Sequence, residues 1–130
     1  MRIRFLDPNE IAHVQEAING DPEFRLASRF FSKDILLGVG DSGCLVKVRD
    51  GIITEIKLNP TFMDSWNFFI KGSAEAWQKF LQPLPPPRFA DLYGGVSCKN
   101  FELGGDMEAV FAHYWALTRM LDVMRELQNN

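Results

Sequence analysis

A run of alternating apolar and polar residues between Asp34 and Leu58 constrains the fold of this chain more than any other feature. Alternation of this kind places every second side chain on one face of a β-strand. Asp50-Gly51 interrupts the run, and this dipeptide favours the tight turn of a β-hairpin. A second break at Asp41-Ser42-Gly43 divides the first half of the run. The pattern therefore predicts a three-stranded antiparallel meander with one apolar face.

The stretch over residues 66–87 predicts a further strand that leads directly into a helix. Trp66, Phe68 and Ile70 alternate with other residues, so we expect these three side chains on one face of the strand. Ser73 is a good N-cap for the helix that follows, and a proline run ends it. The apolar face of this helix carries Trp77, Phe80 and Leu81.

Two Asp-Pro pairs near the N-terminus predict two short helices. Asp7-Pro8 and Asp21-Pro22 each combine a capping carboxylate with a proline in the first turn, where the missing N–H costs nothing. We expect the first helix to end at Asn19-Gly20 and the second to run to about Phe31.

The C-terminal part of the chain predicts a short helical turn, one more strand and a long helix. The turn covers residues 90–96, and the strand is an alternating segment at residues 100–103. Asp106 caps the helix, in which apolar residues recur every three or four positions as far as Leu127. The elements together predict one α+β domain, because 130 residues with 46% hydrophobic content can bury a single core and leave no room for a second.

Composition argues against several classes of partner. The chain has 14 basic and 17 acidic residues and a net charge of -3, so we expect no nucleic-acid binding. No segment has the length of a membrane span, so we expect no stable membrane insertion. Cys44 and Cys98 lie among apolar residues without Cys-x-x-Cys spacing, which is typical of a reduced, cytoplasmic protein.

The sequence contains no recognisable reactive constellation. His13 and His113 each stand alone on a helix, so we predict no metal site. We find no phosphate loop, nucleophile elbow or flanked carboxylate pair, and therefore expect no catalytic residue and no cofactor. Many large apolar residues without a reactive group favour binding a hydrophobic molecule over transforming it.

The run WNFFIKGSAEAWQKFLQPLPPPRFADLYGGVSCKNFELGGD and the order of the elements around it resemble the sterol carrier protein type 2-like family. The resemblance covers roughly Asp34 to Leu127 and leaves two helices before it. It implies a five-stranded, mostly antiparallel sheet covered by helices that enclose a hydrophobic tunnel. The ligands that it implies are fatty acyl chains, acyl-CoA or sterols.

Eight apolar residues are the candidates for the lining of this tunnel. They are Phe68, Ile70, Trp77, Phe80, Leu92, Val96, Leu117 and Leu121.

Two alternatives to a lipid carrier stay open at this point. The first is a small cone-shaped isomerase or cyclase, which would need a buried general base such as Asp91, Tyr93 or Tyr114. The second is an interaction module with a filled core and no ligand. In that case Trp115, on the polar side of the last helix, would contact a second copy in a homodimer.

Overall fold

Five β-strands form one layer of the molecule. In the computed structural model, which describes residues 3–86, 89, 92 and 100–130, they are β1 (Asp34–Val39), β2 (Ser42–Arg49), β3 (Ile52–Leu58), β4 (Phe68–Gly72) and β5 (Phe101–Gly105). Their order in the sheet is β3-β2-β1-β4-β5. Among these five strands, β1 and β4 are parallel neighbours and the other neighbouring pairs are antiparallel. The expected five-stranded, mostly antiparallel sheet is therefore confirmed.

A short 3-10 turn and five described helices accompany the sheet. They are the turn Arg4–Leu6 and the helices α1 (Ile11–Gly20), α2 (Pro22–Ala27), α3 (Ala74–Phe80), α4 (Met107–Ala112) and α5 (Tyr114–Gln128). The predicted N-caps of three helices are confirmed: Asp21, Ser73 and Asp106 each accept a hydrogen bond from the backbone N–H three residues later, in α2, α3 and α4. Within the described ranges, no helix is long and apolar enough to cross a membrane.

One face of the sheet packs against the helices and forms the core. Ile35 and Leu37 on β1 and Phe68 and Ile70 on β4 are fully buried and belong to the same apolar cluster as Leu117 of α5. Their spacing of two confirms that the alternating residues of these strands share a face. The fold thus places Phe68, Ile70 and Leu117 of the predicted tunnel lining in its core.

The opposite face of the sheet is partly covered by the connection over residues 59–67. Lys57 Nζ lies 2.7 Å from a carboxylate oxygen of Asp64, which ties this connection to β3. The ring of Trp66 meets the ring of Phe69 edge-on at 5.4 Å. The prediction that Trp66 shares a face with Phe68 is therefore wrong. The regular strand begins only at Phe68, because the residue before it, Asn67, accepts a hydrogen bond from the backbone of Asp34 with its side chain.

Both N-terminal helices are shorter than predicted. The first begins at Ile11, because Asp7 instead closes a tight turn in which its carboxylate accepts from the N–H of Asn9 at 2.9 Å. The second ends at Ala27 rather than Phe31. Beyond it the Ser28 hydroxyl donates to the carbonyl of Gly51, so the chain leaves the helix to meet the hairpin turn.

The C-terminal helix is interrupted, whereas the sequence predicts a continuous one. His113 leaves the helical conformation between α4 and α5, with φ of -116° and ψ of 23°. Its ring stacks on Phe31 at 4.6 Å, a contact that holds the residue at the junction. The predicted helical turn at residues 90–96 lies outside the described residues except for Leu92, which is helical and buried.

Candidate functional site

The candidate site is the core between the sheet and the helices α3 and α5. Seven of the eight predicted lining residues are described, and all seven are buried in one apolar cluster. They are Phe68, Ile70, Trp77, Phe80, Leu92, Leu117 and Leu121. The eighth, Val96, lies outside the described residues.

Aromatic rings occupy the part of this core nearest α3. Trp77 meets Phe5, Phe80 and Phe101 edge-on, with ring centroids 5.4, 5.9 and 4.9 Å apart. Phe101 also meets Phe80 and Phe89 at 5.5 and 6.5 Å. We call these five residues the aromatic cluster. Edge-to-face contacts at such distances are favourable, so the cluster fills space that a ligand would otherwise occupy.

Trp77 is held in place by a hydrogen bond as well as by packing. Its indole Nε1 donates to the carbonyl oxygen of Gly38 on β1 at 2.8 Å, and both groups are buried. The bond satisfies a polar group that would be costly to bury alone.

Two spaces lie near the core, and the smaller one borders the predicted lining. A small one of about 20 Å³ is lined by Phe80, Leu92, Leu121 and two polar residues of α5. It has room for about one water molecule and not for an acyl chain. A larger cleft of about 440 Å³ opens to solvent at the end of the sheet. Its lining residues are Ile3, Leu6, Asp7, Pro8, Val39, Ser42, Ala74 and Gln78.

The larger cleft lies beside the 3-10 turn that carries Phe5 of the aromatic cluster. Leu6 lines the cleft, and the residue before it, Phe5, is buried with its ring against Trp77. A volume of about 440 Å³ lies in the range of small-molecule sites. Sequence reasoning did not identify Phe5 or this cleft, because the contact joins two segments that are distant along the chain and has no local signal.

Asp122 and Arg125 are the described titratable residues of α5 that lie beside the predicted lining. Burial raises the pKa of the Asp122 carboxyl, which borders the small space beside Leu121, above its ordinary value. Arg125 on the same helix donates to the carbonyl of Phe80 at 2.8 Å and lies over its ring. In the part of the chain that the structure describes, no three His, Cys, Asp or Glu side chains are grouped as a metal site requires.

Comparison with known proteins identifies the fold. The chain matches no family model and no curated protein sequence. A crystal structure of sterol carrier protein 2 matches 88% of this chain and 92% of its own length, with a TM-score of 0.73 and 17% identity. This chain has the sterol carrier protein 2 fold.

Two further structures show the same fold in different settings. One is a conserved hypothetical protein from Thermus thermophilus, described as possibly a sterol carrier protein, with a TM-score of 0.74, 15% identity, and coverage of 96% of this chain and 90% of that one. The other is the sec-alkylsulfatase Pisa1 from Pseudomonas sp., with a TM-score of 0.57 and 14% identity. There the match covers 92% of this chain and 16% of the enzyme. The sterol carrier protein 2 fold thus also occurs as a small part of an enzyme. This chain adopts that fold and not the cone-shaped fold of the alternative isomerase or cyclase.

Proposed function

We propose that this chain binds and carries a hydrophobic molecule, such as a fatty acyl chain, acyl-CoA or a sterol-like lipid, in the cytoplasm and without chemistry of its own. One observation supports this most directly: the fold matches sterol carrier protein 2 over 92% of that protein's length. A carrier with the same architecture requires an almost complete structural match. A match to an isolated fragment would give little support for a shared function.

The proposed binding region is the predicted lining between α3, α5 and β4. Its residues are Phe68, Ile70, Trp77, Phe80, Leu92, Val96, Leu117 and Leu121. Because the described members pack against one another, a ligand enters only if side chains of the aromatic cluster move aside. The cleft beside the turn Arg4–Leu6 is the proposed opening, because Leu6 lines it and the neighbouring Phe5 packs its ring against Trp77.

The energetics of such binding are favourable. Burying ten methylene groups contributes about 8 kcal/mol before ordering costs, at about 0.8 kcal/mol for each group. Ordering the chain and displacing side chains reduce this value, and a Kd of 1 µM requires about 8.2 kcal/mol net, so micromolar affinity needs an acyl chain longer than ten methylene groups.

Titration of delipidated protein with a fluorescent long-chain fatty acid tests the proposal. We expect saturable binding that an unlabelled fatty acid displaces. A mass spectrum of an organic extract of the freshly purified protein identifies any ligand retained from the cell. Neither a retained lipid nor saturable binding up to the solubility limit of the probe would overturn the carrier function.

A pair of matched variants tests the proposed opening. Ala74 lies exposed on the wall of the cleft, so Ala74→Trp should obstruct it without entering the core. Ala12 is exposed on α1 and does not line the cleft, and Ala12→Trp is the control. We expect slower uptake of the probe by Ala74→Trp alone; equal uptake by both variants would place the opening elsewhere.

A further inference from the structure

A second apolar surface lies on the helices, outside the candidate lipid site. Leu26 and Phe30 from the α2 segment and Phe111 and Trp115 from α4 and α5 are 67%, 80%, 72% and 78% exposed. A groove of about 400 Å³ runs between the two segments. Its lining residues are Glu23, Leu26, Ala27, Arg29, Phe30, Ala112, His113, Trp115 and Ala116. We call this surface the helical groove.

The exposed aromatic residues of the helical groove offer part of the area that one side of a dimer interface buries. Phe30 and Trp115 line the groove and are 80% and 78% exposed, and aromatic side chains offer roughly 150–250 Å² each, so these two contribute on the order of 300 Å². With Leu26 they give an apolar area within the range of the largest patches on monomeric proteins, which are often functional. A standard interface buries roughly 800 Å² on each partner, so the polar residues around the groove must supply the rest.

Two contacts join the α2 segment to the helices on the other side of the groove. Arg119 of α5 donates to Asp21 at the start of α2 at 2.7 and 2.8 Å, which joins its two walls at one end. His113 stacks on Phe31 at 4.6 Å and joins them at the other. A surface whose shape exists before binding loses little entropy when a partner covers it.

The charges on the groove point to a second copy of the same surface. Glu23 lies near the start of α2 and Arg29 just beyond its end, and both line the groove. The side chain of Glu23 is 76% exposed, and Arg29 lies over the ring of Phe30 at 5.2 Å. A two-fold axis through the middle of the groove brings Glu23 of each copy to Arg29 of the other, so that the interface is complementary to itself.

A lipid surface fits the same groove less well. Glu23 on its rim and a net charge of -3 for the chain oppose approach to anionic headgroups.

We propose that this chain forms a two-fold homodimer through the helical groove, with Trp115 and Phe30 at the centre of the interface and reciprocal Glu23–Arg29 pairs at its ends. The dimer does not depend on ligand binding, since the groove lies outside the candidate lipid site. Central tryptophan residues are frequent energetic hot spots of such interfaces.

Sedimentation velocity across a concentration series tests the dimer. We expect the wild type to be dimeric at about 100 µM, within the range of weak specific interfaces. Trp115→Glu should weaken association about 30-fold or more, because a charge replaces a central ring. Phe62→Glu is the control: Phe62 is 95% exposed in the connection over the opposite face of the sheet, and the dimer should persist.

A charge exchange provides a test that loss of folding cannot imitate. Glu23→Arg and Arg29→Glu should each weaken the homodimer, because each places like charges opposite one another twice. An equimolar mixture of the two variants restores both opposite-charge pairs, so we expect a heterodimer where neither variant associates alone. Thermal melts of each variant verify that it is folded.

Three results would overturn the proposal. The first is a wild type that remains monomeric at about 100 µM, which is too weak for a specific interface of this size. The second is a mixture of the charge variants that associates no better than either alone. The third is a monomer that cosediments, in a Trp115-dependent manner, with vesicles of equal parts phosphatidylcholine and phosphatidylglycerol, which would make a membrane the occupant of the groove.

Discussion

Arg119 on α5 forms a two-pronged ion pair with Asp21, whose carboxylate also caps α2. Arg119 Nη2 and Nε lie 2.7 and 2.8 Å from the two carboxylate oxygens, and one of these oxygens accepts from the N–H of Phe24 at 2.9 Å. Both side chains are largely shielded from solvent. One carboxylate therefore starts one helix and ties it to another that is 98 residues away in sequence.

The first prediction separates these two roles of Asp21. Asp21→Ala removes the cap and the ion pair, and we expect a loss of about 1–3 kcal/mol in the free energy of unfolding. Asp21→Asn retains an oxygen that can accept from Phe24 and should lose less. Urea unfolding measures both changes. Equal losses in the two variants would mean that the cap contributes nothing measurable.

The second prediction is a dependence on acid that arises from the same ion pair. Hydrogen bonding to Arg119 holds the pKa of Asp21 below its ordinary value of 3.8, so the folded state releases this proton more readily than the unfolded state. The resulting stabilisation is fully present above pH 3.8 and is lost as the pH falls through the lower pKa of the folded state. The stability of Asp21→Asn, measured by urea unfolding, should therefore decline less than that of the wild type as acid is added over this range.

Local signals in the sequence were sufficient for the turns and caps. Asp50 and Gly51 both adopt positive φ, at 51° and 79°, as the hairpin turn predicted from this dipeptide requires. The capping roles of Ser73 and Asp106 likewise depend on residues within three positions. These features are predictable because every group involved lies in one short segment.

Features that join distant segments could not be predicted from local pattern. The break at His113 occurs where its ring meets Phe31, and an apolar stripe that continues on both sides does not reveal it. The aromatic cluster depends on Phe5 reaching Trp77, and α2 ends early because Ser28 meets Gly51. Tertiary contacts decide such details, whereas propensity and periodicity act only along the chain.

The third prediction concerns packing around Leu117. This residue is fully buried, so Leu117→Trp should overpack the core and lower the free energy of unfolding by about 1–3 kcal/mol. Denaturant midpoints and lipid titrations on the same variant give the two readouts. A variant with unchanged stability and lost lipid binding would show instead that its ring enters space that the ligand uses.

The fourth prediction concerns the hydrogen bond from Trp77 to Gly38. Trp77→Phe keeps a ring in the aromatic cluster but removes the indole N–H that donates to the buried carbonyl of Gly38, which should cost about 1–3 kcal/mol in the free energy of unfolding. Trp66→Phe is the matched control at a tryptophan that is 41% exposed, and its cost should stay below about 0.5 kcal/mol. Urea unfolding of both variants provides the comparison. A loss at Trp77 as small as that at Trp66 would show that the hydrogen bond to Gly38 contributes nothing measurable to stability.

The last prediction concerns the histidine between α4 and α5. Burial, and secondarily the charge of Lys33, lowers the pKa of His113 below its ordinary value of 6.5. The unfolded state therefore binds this proton more readily than the folded state. The free energy of unfolding must decrease as the pH falls below 6.5, and this decrease ends once the pH is below the lower pKa of the folded state. His113→Phe retains a ring to stack on Phe31 and removes the titration, so its melting temperature should change less than that of the wild type between about pH 7 and pH 5. At about pH 8 histidine is neutral in both states, so the difference in melting temperature between His113→Phe and the wild type reports packing alone. Parallel pH profiles for the two proteins would show that His113 does not contribute to the acid sensitivity of the fold.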